Sequence, residues 1–216
     1  MLRLINDIAR DAAMNMAIDE VLFNGLQGSA VLRTYLWDKA HTTIGYFQKN
    51  DANAVRRLTG GLLVNHKDDI SYGFCADAEK WPFIYSQQDT YKHIHTAIKK
   101  ALSFIGYDCD FAQIESAAPK NAFCVQTLYS DDLIYKGKKI AGSCVRRRGK
   151  KILVQGSVHL DLGAARRSEF AYEFAVNLAE VLKTGVTEQG LTGSEIDKAR
   201  KLALEKYSSK DWNGKF

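Results

Sequence analysis

Arg56-Arg57-Leu58-Thr59-Gly60-Gly61, followed by Val64 and His66, gathers two cations, a hydroxyl and a pair of glycines into one short stretch. Glycine lets a backbone approach a ligand closely and adopt positive φ. A guanidinium beside exposed N–H groups suits an anion or a carboxylate. The same residues also read as a β-hairpin turn carrying two solvated arginines. The stretch matches neither G-x-x-x-x-G-K-[ST] nor G-x-G-x-x-G. Lys139 is the second candidate, standing between Gly137 and the small pair Ala141-Gly142. Small neighbours leave room for a ligand beside an ammonium. A lysine so placed can hold a carboxylate, polarise a thioester carbonyl or help deprotonate a nucleophile. Without a ligand it is a solvated strand lysine.

Such groups need rigid elements to hold them. Asp11 can cap a helix over 12–26, with Met14, Ile18, Val21 and Leu22 on one face and Gly25 and Gly28 beyond its end. Strands are predicted at 30–37 and 42–48, and the Thr59-Gly60-Gly61 turn leads into strands near 62–65 and 69–75. Asp89 opens a helix to about Ile105, with Tyr91, Ile94, Ile98, Leu102 and Ile105 on one side. A β-meander follows at 131–136, 139–147 and 151–160, turning at Gly137 and Gly149. Helices at 167–183 and 194–207 complete the pattern, the second capped by Ser194 with Asp197 three residues on. Hairpins dominate. The expected class is α/β (α+β), a largely antiparallel mixed sheet with packed helices.

Composition narrows the function. At 216 residues and 46% apolar content, the sequence fits one globular domain with a sizeable core. No apolar run reaches the ~20 residues of a membrane span. The N-terminal Met1-Leu2-Arg3-Leu4-Ile5-Asn6-Asp7 is too polar for a signal peptide, which points to the cytoplasm. Cys75, Cys109, Cys124 and Cys144 include no C-x-x-C pair, so the default for each is a small buried thiol. His41, His93, His95 and His159 have no metal-ligand spacing, and no metal is expected. The net charge of +5 gathers in Arg146-Arg147-Arg148-Gly149-Lys150-Lys151 and in Lys136, Lys138 and Lys139. These are either solvated hairpin tips or a patch for an acidic partner. No nucleic-acid recognition module is visible.

The run from Arg56 to His66 resembles the R-R-x-[ST]-G-G-x-x-V-x-H signature of the lipoate–protein ligase and octanoyltransferase family. Asp132-Leu133-Ile134 followed by Gly137-Lys138-Lys139-Ile140-Ala141-Gly142-Ser143 is similar to that family's D-L-x-x-x-G-K-K-[IV]-[SA]-G-S segment. Weaker matches lie in the same order at Asn15–Glu20, Ile44–Gln48 and Trp212-Asn213. The resemblance implies a biotin/lipoate–protein ligase type of catalytic fold. It places the family's catalytic lysine on Lys139 and an acyl-binding pocket along Arg57, Thr59, Gly60, Gly61, Val64, His66, Ile140, Ala141 and Gly142.

Within the family, the ligase-like octanoyltransferases carry a nucleophilic cysteine near the place of Cys124. It takes octanoyl from acyl carrier protein as a thioester and passes it to a lysine of a lipoyl domain or of the glycine-cleavage H protein. A thiolate suits the task, because thioester exchange is nearly isoenergetic and a neighbouring lysine lowers a thiol's pKa. The family order Cys-Phe is inverted here as Phe123-Cys124, which leaves a buried structural thiol as the alternative. Cys144 stands where the family has alanine and reads as packing. Leu62 replaces a third glycine, Gln155-Gly156 replaces His-Gly, and the sequence stops just after Trp212-Asn213-Gly214. These departures favour a transferase of one catalytic domain over 1–216, without an accessory domain and with no cofactor. The alternatives are a ligase that uses ATP and Mg, with a separate accessory chain, or a non-catalytic acyl-binding member.

Overall fold

The computed structural model describes residues 1–50, 53–81, 86–113 and 129–216. An eight-stranded mixed sheet forms the spine, in the order β11-β1-β2-β6-β10-β9-β8-β7. Its members are β1 (Leu2–Arg10), β2 (Ala30–Trp37), β6 (Ile70–Asp77), β7 (Asp110–Phe111), β8 (Leu133–Tyr135), β9 (Lys138–Arg148), β10 (Lys151–Val158) and β11 (Val186–Glu188). β1 runs parallel to both β2 and β11, and the other pairings are antiparallel. A three-stranded sheet, β4-β3-β5, is built from β3 (His41–Ile44), β4 (Val55–Arg56) and β5 (Val64–His66). The expected class holds. β1 was missed from sequence, since its second half alternates too weakly to signal a strand and carries exposed Ile8, and so were the two- and three-residue strands β4, β7 and β11, which are too short to show a period.

The helices form two layers. α2 (Gln87–Phe104) and α3 (Gly163–Val181) cover one face, where Ile94, Ile98, Leu102, Phe170 and Phe174 meet Leu4, Leu32, Phe74 and Val154 of the sheet. α1 (Ala12–Gly25), α4 (Gly193–Leu202) and a π-helical turn at Ala203–Tyr207 cover the other, around Ile18, Phe23, Tyr35, Cys75 and Leu153. Burying one such Leu, Ile or Phe contributes roughly 1.5–3 kcal/mol. Asp11 caps α1 as expected, accepting from the Met14 N–H at 2.7 Å. Two start signals are corrected. Ser86, not Asp89, caps α2, and Thr192, not Ser194, caps α4 in a full capping box with Glu195. In both cases a hydroxyl three residues upstream of an acid reaches the free N–H groups first.

Charge buried in the α1 layer explains one weak motif. Arg33 is fully buried and donates to Asp19 at 2.8 Å, to Asp7 at 2.9 Å and to the Asn15 side chain at 2.6 Å. Asn15 and Asp19 therefore serve as fixed acceptors that let β2 carry a cation through the core.

Candidate active site

β9 changes face part-way along. Leu133 pairs with Ala141 but Ile134 pairs with Lys139, so β9 holds one extra residue here and its alternation is reset. Lys139 and Gly142 consequently share a side, and a Cβ on Gly142 would lie 2.9 Å from Lys139 Cε and 3.0 Å from Asp132 Oδ1. Only glycine leaves Lys139 that space. The Lys139 ammonium is paired with Asp132 Oδ2 at 2.6 Å, both side chains nearly buried, and lies 5.8 Å from the Tyr129 ring. Asp132 is held in turn by the Tyr129 N–H at 2.8 Å. Burial raises the Asp132 carboxyl pKa, and Lys139 opposes the shift.

The turn before β5 meets β9 from the other sheet. Gly61 has φ +86 and presses on Cys144, so a Cβ there would collide with Sγ. Arg57 is buried and spends its guanidinium on the turn itself. It donates to Thr43 Oγ1 at 2.7 Å, to the Leu62 carbonyl at 2.8 Å and to the Gly60 carbonyl at 3.1 Å. His66 lies next in this chain of bonds. Its Nδ1 meets Asp69 Oδ2 at 2.8 Å, its Nε2 meets Thr43 Oγ1 at 2.8 Å, and its ring stacks on Trp37 at 4.0 Å. Burial lowers the His66 pKa despite Asp69. The neutral ring therefore donates to Asp69 through Nδ1 and accepts the Thr43 hydroxyl at Nε2.

Arg56 plays a different part. It is fully buried and donates to the carbonyls of Gln48 at 2.6 Å, Tyr46 and Asn213 at 2.8 Å, Trp212 at 3.1 Å and Gly45 at 3.2 Å. The Trp212 indole N–H donates to the Arg56 carbonyl and Asn213 Oδ1 accepts the Arg56 N–H, each at 2.9 Å. The arginine pair is thus neither solvated nor an open anion cradle. Arg56 fastens the C-terminal segment to the loop after β3, and Arg57 shapes the glycine turn.

Two cavities adjoin these groups. The first, of about 40 Å³, is lined by Arg57, Val64, His66, Lys139, Gly142 and Gln155, among others. That is room for about three waters. It is much smaller than the ~150 Å³ that takes a benzene ring, so among the described residues this cavity offers no open tunnel for eight carbons. The second, of about 560 Å³, is lined by Gly60, Gly61, His95, Asp131, Asp132 and Tyr129. Ser143 and Cys144 lie in the walls of both. His66 and Lys139 thus share one cavity wall, and Gly60 and Gly61 edge the other.

Three expected wall residues line neither cavity. Thr59 is fully buried and donates to Gln155 Oε1 at 2.9 Å. Ile140 and Ala141 belong to the core under α2, because the irregularity in β9 turns them away from Lys139. Cys124 lies outside the described residues. Sequence reasoning also passed over Asp132, Gln155, His95 and Ser143. Asp132 and Ser143 sit inside the quoted motif, so their signal was present. His95 was weighed only as a metal ligand. The basic tips are partly engaged: Arg147 donates to Thr90 at 3.3 Å, Arg148 to Asn24 at 2.8 Å, and Arg146 lies over Tyr46 at 4.8 Å.

A family model described as the lipoyl protein ligase A/B catalytic domain matches residues 11–188, which span the Arg57 turn, Asp132 and Lys139. The chain belongs to this family. An octanoyltransferase LipM from Oceanobacillus iheyensis is 31% identical over 173 residues, covering 73% of this chain and 63% of the relative. The LipM of Kyrpidia tusciae is 31% identical over 182 residues, with 74% and 66% covered. The chain therefore spans somewhat less than two thirds of the length of these relatives. A crystal structure of lipoate–protein ligase A bound with ATP superposes with a TM-score of 0.79 at 21% identity over 99% of both chains. At that identity the likeness concerns the fold, and it agrees with the lipoate-ligase type of layering described above.

Proposed function

We propose that this protein transfers an octanoyl or lipoyl group to a lysine of a lipoyl domain, taking octanoyl from acyl carrier protein through a thioester on Cys124. The observation that carries the reading is Lys139, held nearly buried by Asp132 at 2.6 Å in a cavity wall that it shares with Arg57 and His66. A fixed cation in a nearly buried recess is worth far more than one in bulk water. Aimed at a thioester carbonyl, it stabilises the oxyanion that forms as sulfur or nitrogen attacks. Arg57 and Leu62 act through the turn. With Arg57 committed to the Gly60 and Leu62 carbonyls, the guanidinium contributes shape more than a free charge for phosphate. The 31% identity to octanoyltransferases LipM supports transfer over ligation.

A lipoyl-domain acceptor is supported by the family, and one of the solved neighbours, from Thermoplasma acidophilum, is a bipartite lipoate–protein ligase described with its E2 lipoyl domain. Exposed Lys136 and Lys138, at the turn between β8 and β9, offer cations to an acidic protein partner, where rim charge acts mainly on association rate and salt dependence. The test mixes the protein with octanoyl-loaded acyl carrier protein, without ATP, and follows its intact mass. The expected result is an octanoyl adduct that hydroxylamine removes and that Cys124→Ser does not form. Lipoyl-domain modification that requires ATP and persists in Cys124→Ser overturns the thioester route in favour of a ligase.

A further inference from the structure

One polar chain in the wall between the cavities is unused by this scheme. His95, buried on α2, places Nδ1 against the Asp131 carbonyl and Nε2 2.6 Å from Ser143 Oγ. On the other side, the Tyr72 hydroxyl meets the same Ser143 oxygen. A carbonyl only accepts, so the imidazole proton sits on Nδ1 and Nε2 presents a lone pair. Ser143 must then donate its hydroxyl proton to His95, and Tyr72 must donate to Ser143. Burial keeps both partners neutral, lowering His95 to about 4 and holding the Tyr72 hydroxyl well above the usual tyrosine range. The Ser143 oxygen has therefore given away its proton and received one bond. Ser143 lines both cavities, and its oxygen keeps one lone pair with which to accept. Such an atom accepts a hydrogen bond and offers none, so it selects a ligand that donates.

Acyl transfer to a lysine needs that kind of group. The acceptor arrives as an ammonium, with an ordinary pKa of about 10.4, and attacks only after losing a proton. We infer that Ser143 receives the ε-ammonium of the acceptor lysine and that Ser143 and His95 together carry its proton away. This assignment rests on the lysine-acylating reading above. The larger cavity has Asp131 and Asp132 in its wall; Asp132 is matched by Lys139, and the Asp131 carboxylate favours a cation there. The charged and titratable groups around the pair are Tyr72 from β6, Tyr91 from α2, stacked on His95 at 6.3 Å, Asp131 before β8, and Lys139 and Cys144 from β9, with Asp132 on Lys139. The Lys139 charge close by disfavours a second cation and so promotes the loss.

The proton passes from the ammonium to Ser143 Oγ as the Ser143 proton passes to His95 Nε2. The freed amine forms the C–N bond to the acyl carbonyl. As the tetrahedral intermediate collapses, the C–S bond breaks, and the second nitrogen proton goes to the departing sulfur. His95 returns its proton through Ser143 to solvent. The products are one amide, one thiol and one released proton.

The test is the pH dependence of octanoyl transfer to a lipoyl domain by wild type and by Ser143→Ala, read by mass. General-base assistance of this kind is worth roughly 10²–10⁴ in rate. Ser143→Ala should be at least ~10²-fold slower at pH 7, and the gap should narrow about tenfold per pH unit as the lysine deprotonates unaided. Ser143→Thr keeps the hydroxyl and should restore most of the rate. His95→Gln, which can still accept the Ser143 proton bond but cannot bind a proton, should repeat the pH-dependent deficit. A gap that stays constant with pH, or Ser143→Ala matching wild type, overturns the relay and leaves the acyltransferase reading standing. Wild type inert towards the lipoyl domain at every pH removes both.

Discussion

Replacing Asp132 by Asn isolates the contact on which the site depends. The two side chains are near-isosteric, so the change removes charge and leaves shape. The Lys139 and Asp132 side chains are only 5% and 6% exposed, and their 2.6 Å contact lies in the wall between core and cavity. Burial raises the Asp132 pKa by more than Lys139 lowers it, so ionising the pair in place carries a desolvation cost. The penalty for losing one partner is therefore that of a buried, uncompensated ammonium, about 3–5 kcal/mol, and not the net worth of the pair. At roughly 2–4 °C per kcal/mol for a protein of this size, Tm should fall by about 6–20 °C. Calorimetry on wild type, Asp132→Asn, Lys139→Met and the double variant measures the coupling directly. An interaction of at least ~2 kcal/mol is expected. A coupling below ~0.5 kcal/mol, with Tm unmoved, would mean that water screens the pair and that Lys139 is not held as described.

Gly142→Ala should leave the protein folded but cut acyl transfer at least ~10-fold, because the new Cβ would sit 2.9 Å from Lys139 Cε; a steady-state assay with unchanged rates would refute the close fit. His95 binds a proton near 6.5 when unfolded and near 4 when folded, so stability should drop as pH falls between these values, by at most ~3 kcal/mol; urea titrations should show His95→Gln with a flatter profile over that window. Arg56→Lys cannot reach the five carbonyls that Arg56 serves, and hydrogen exchange should rise across 210–216 together with a loss of ~2 kcal/mol or more. Unchanged protection of that segment would show that Arg56 does not fasten it.

The elements most legible in the sequence were those with strong periodicity. α2 and the long strands of the meander emerge within a few residues, because their apolar faces repeat against one core layer, and α1 emerges from its Asp11 cap although Asn15, Asp19 and Glu20 are buried with its apolar residues. The site was legible only in outline. The motif glycines announce close approach, and Gly61 and Gly142 show it against Cys144 and Lys139. What the sequence hid was which polar residue serves fold and which serves chemistry. Arg56 and Arg57 are adjacent and identical in type, yet one binds the C-terminal segment and the other the glycine turn. The sequence set both Ala141 and Gly142 beside Lys139, and the extra residue in β9 leaves Gly142 there while Ala141 joins the core. The Ser143–His95 contact joins residues 48 apart in sequence, and no local pattern reports a pairing of that kind.

Lys139 as the charge that drives acyl transfer is tested most directly by the octanoylation of a purified lipoyl domain. Wild type and Lys139→Ala would each be mixed with octanoyl-loaded acyl carrier protein and no nucleotide, and the mass of the domain followed with time. The expected result is one octanoyl group gained per domain with wild type, and a rate lower by about 10²–10³ with Lys139→Ala at an unchanged circular dichroism spectrum. Modification by Lys139→Ala at a rate near that of wild type would contradict the assignment.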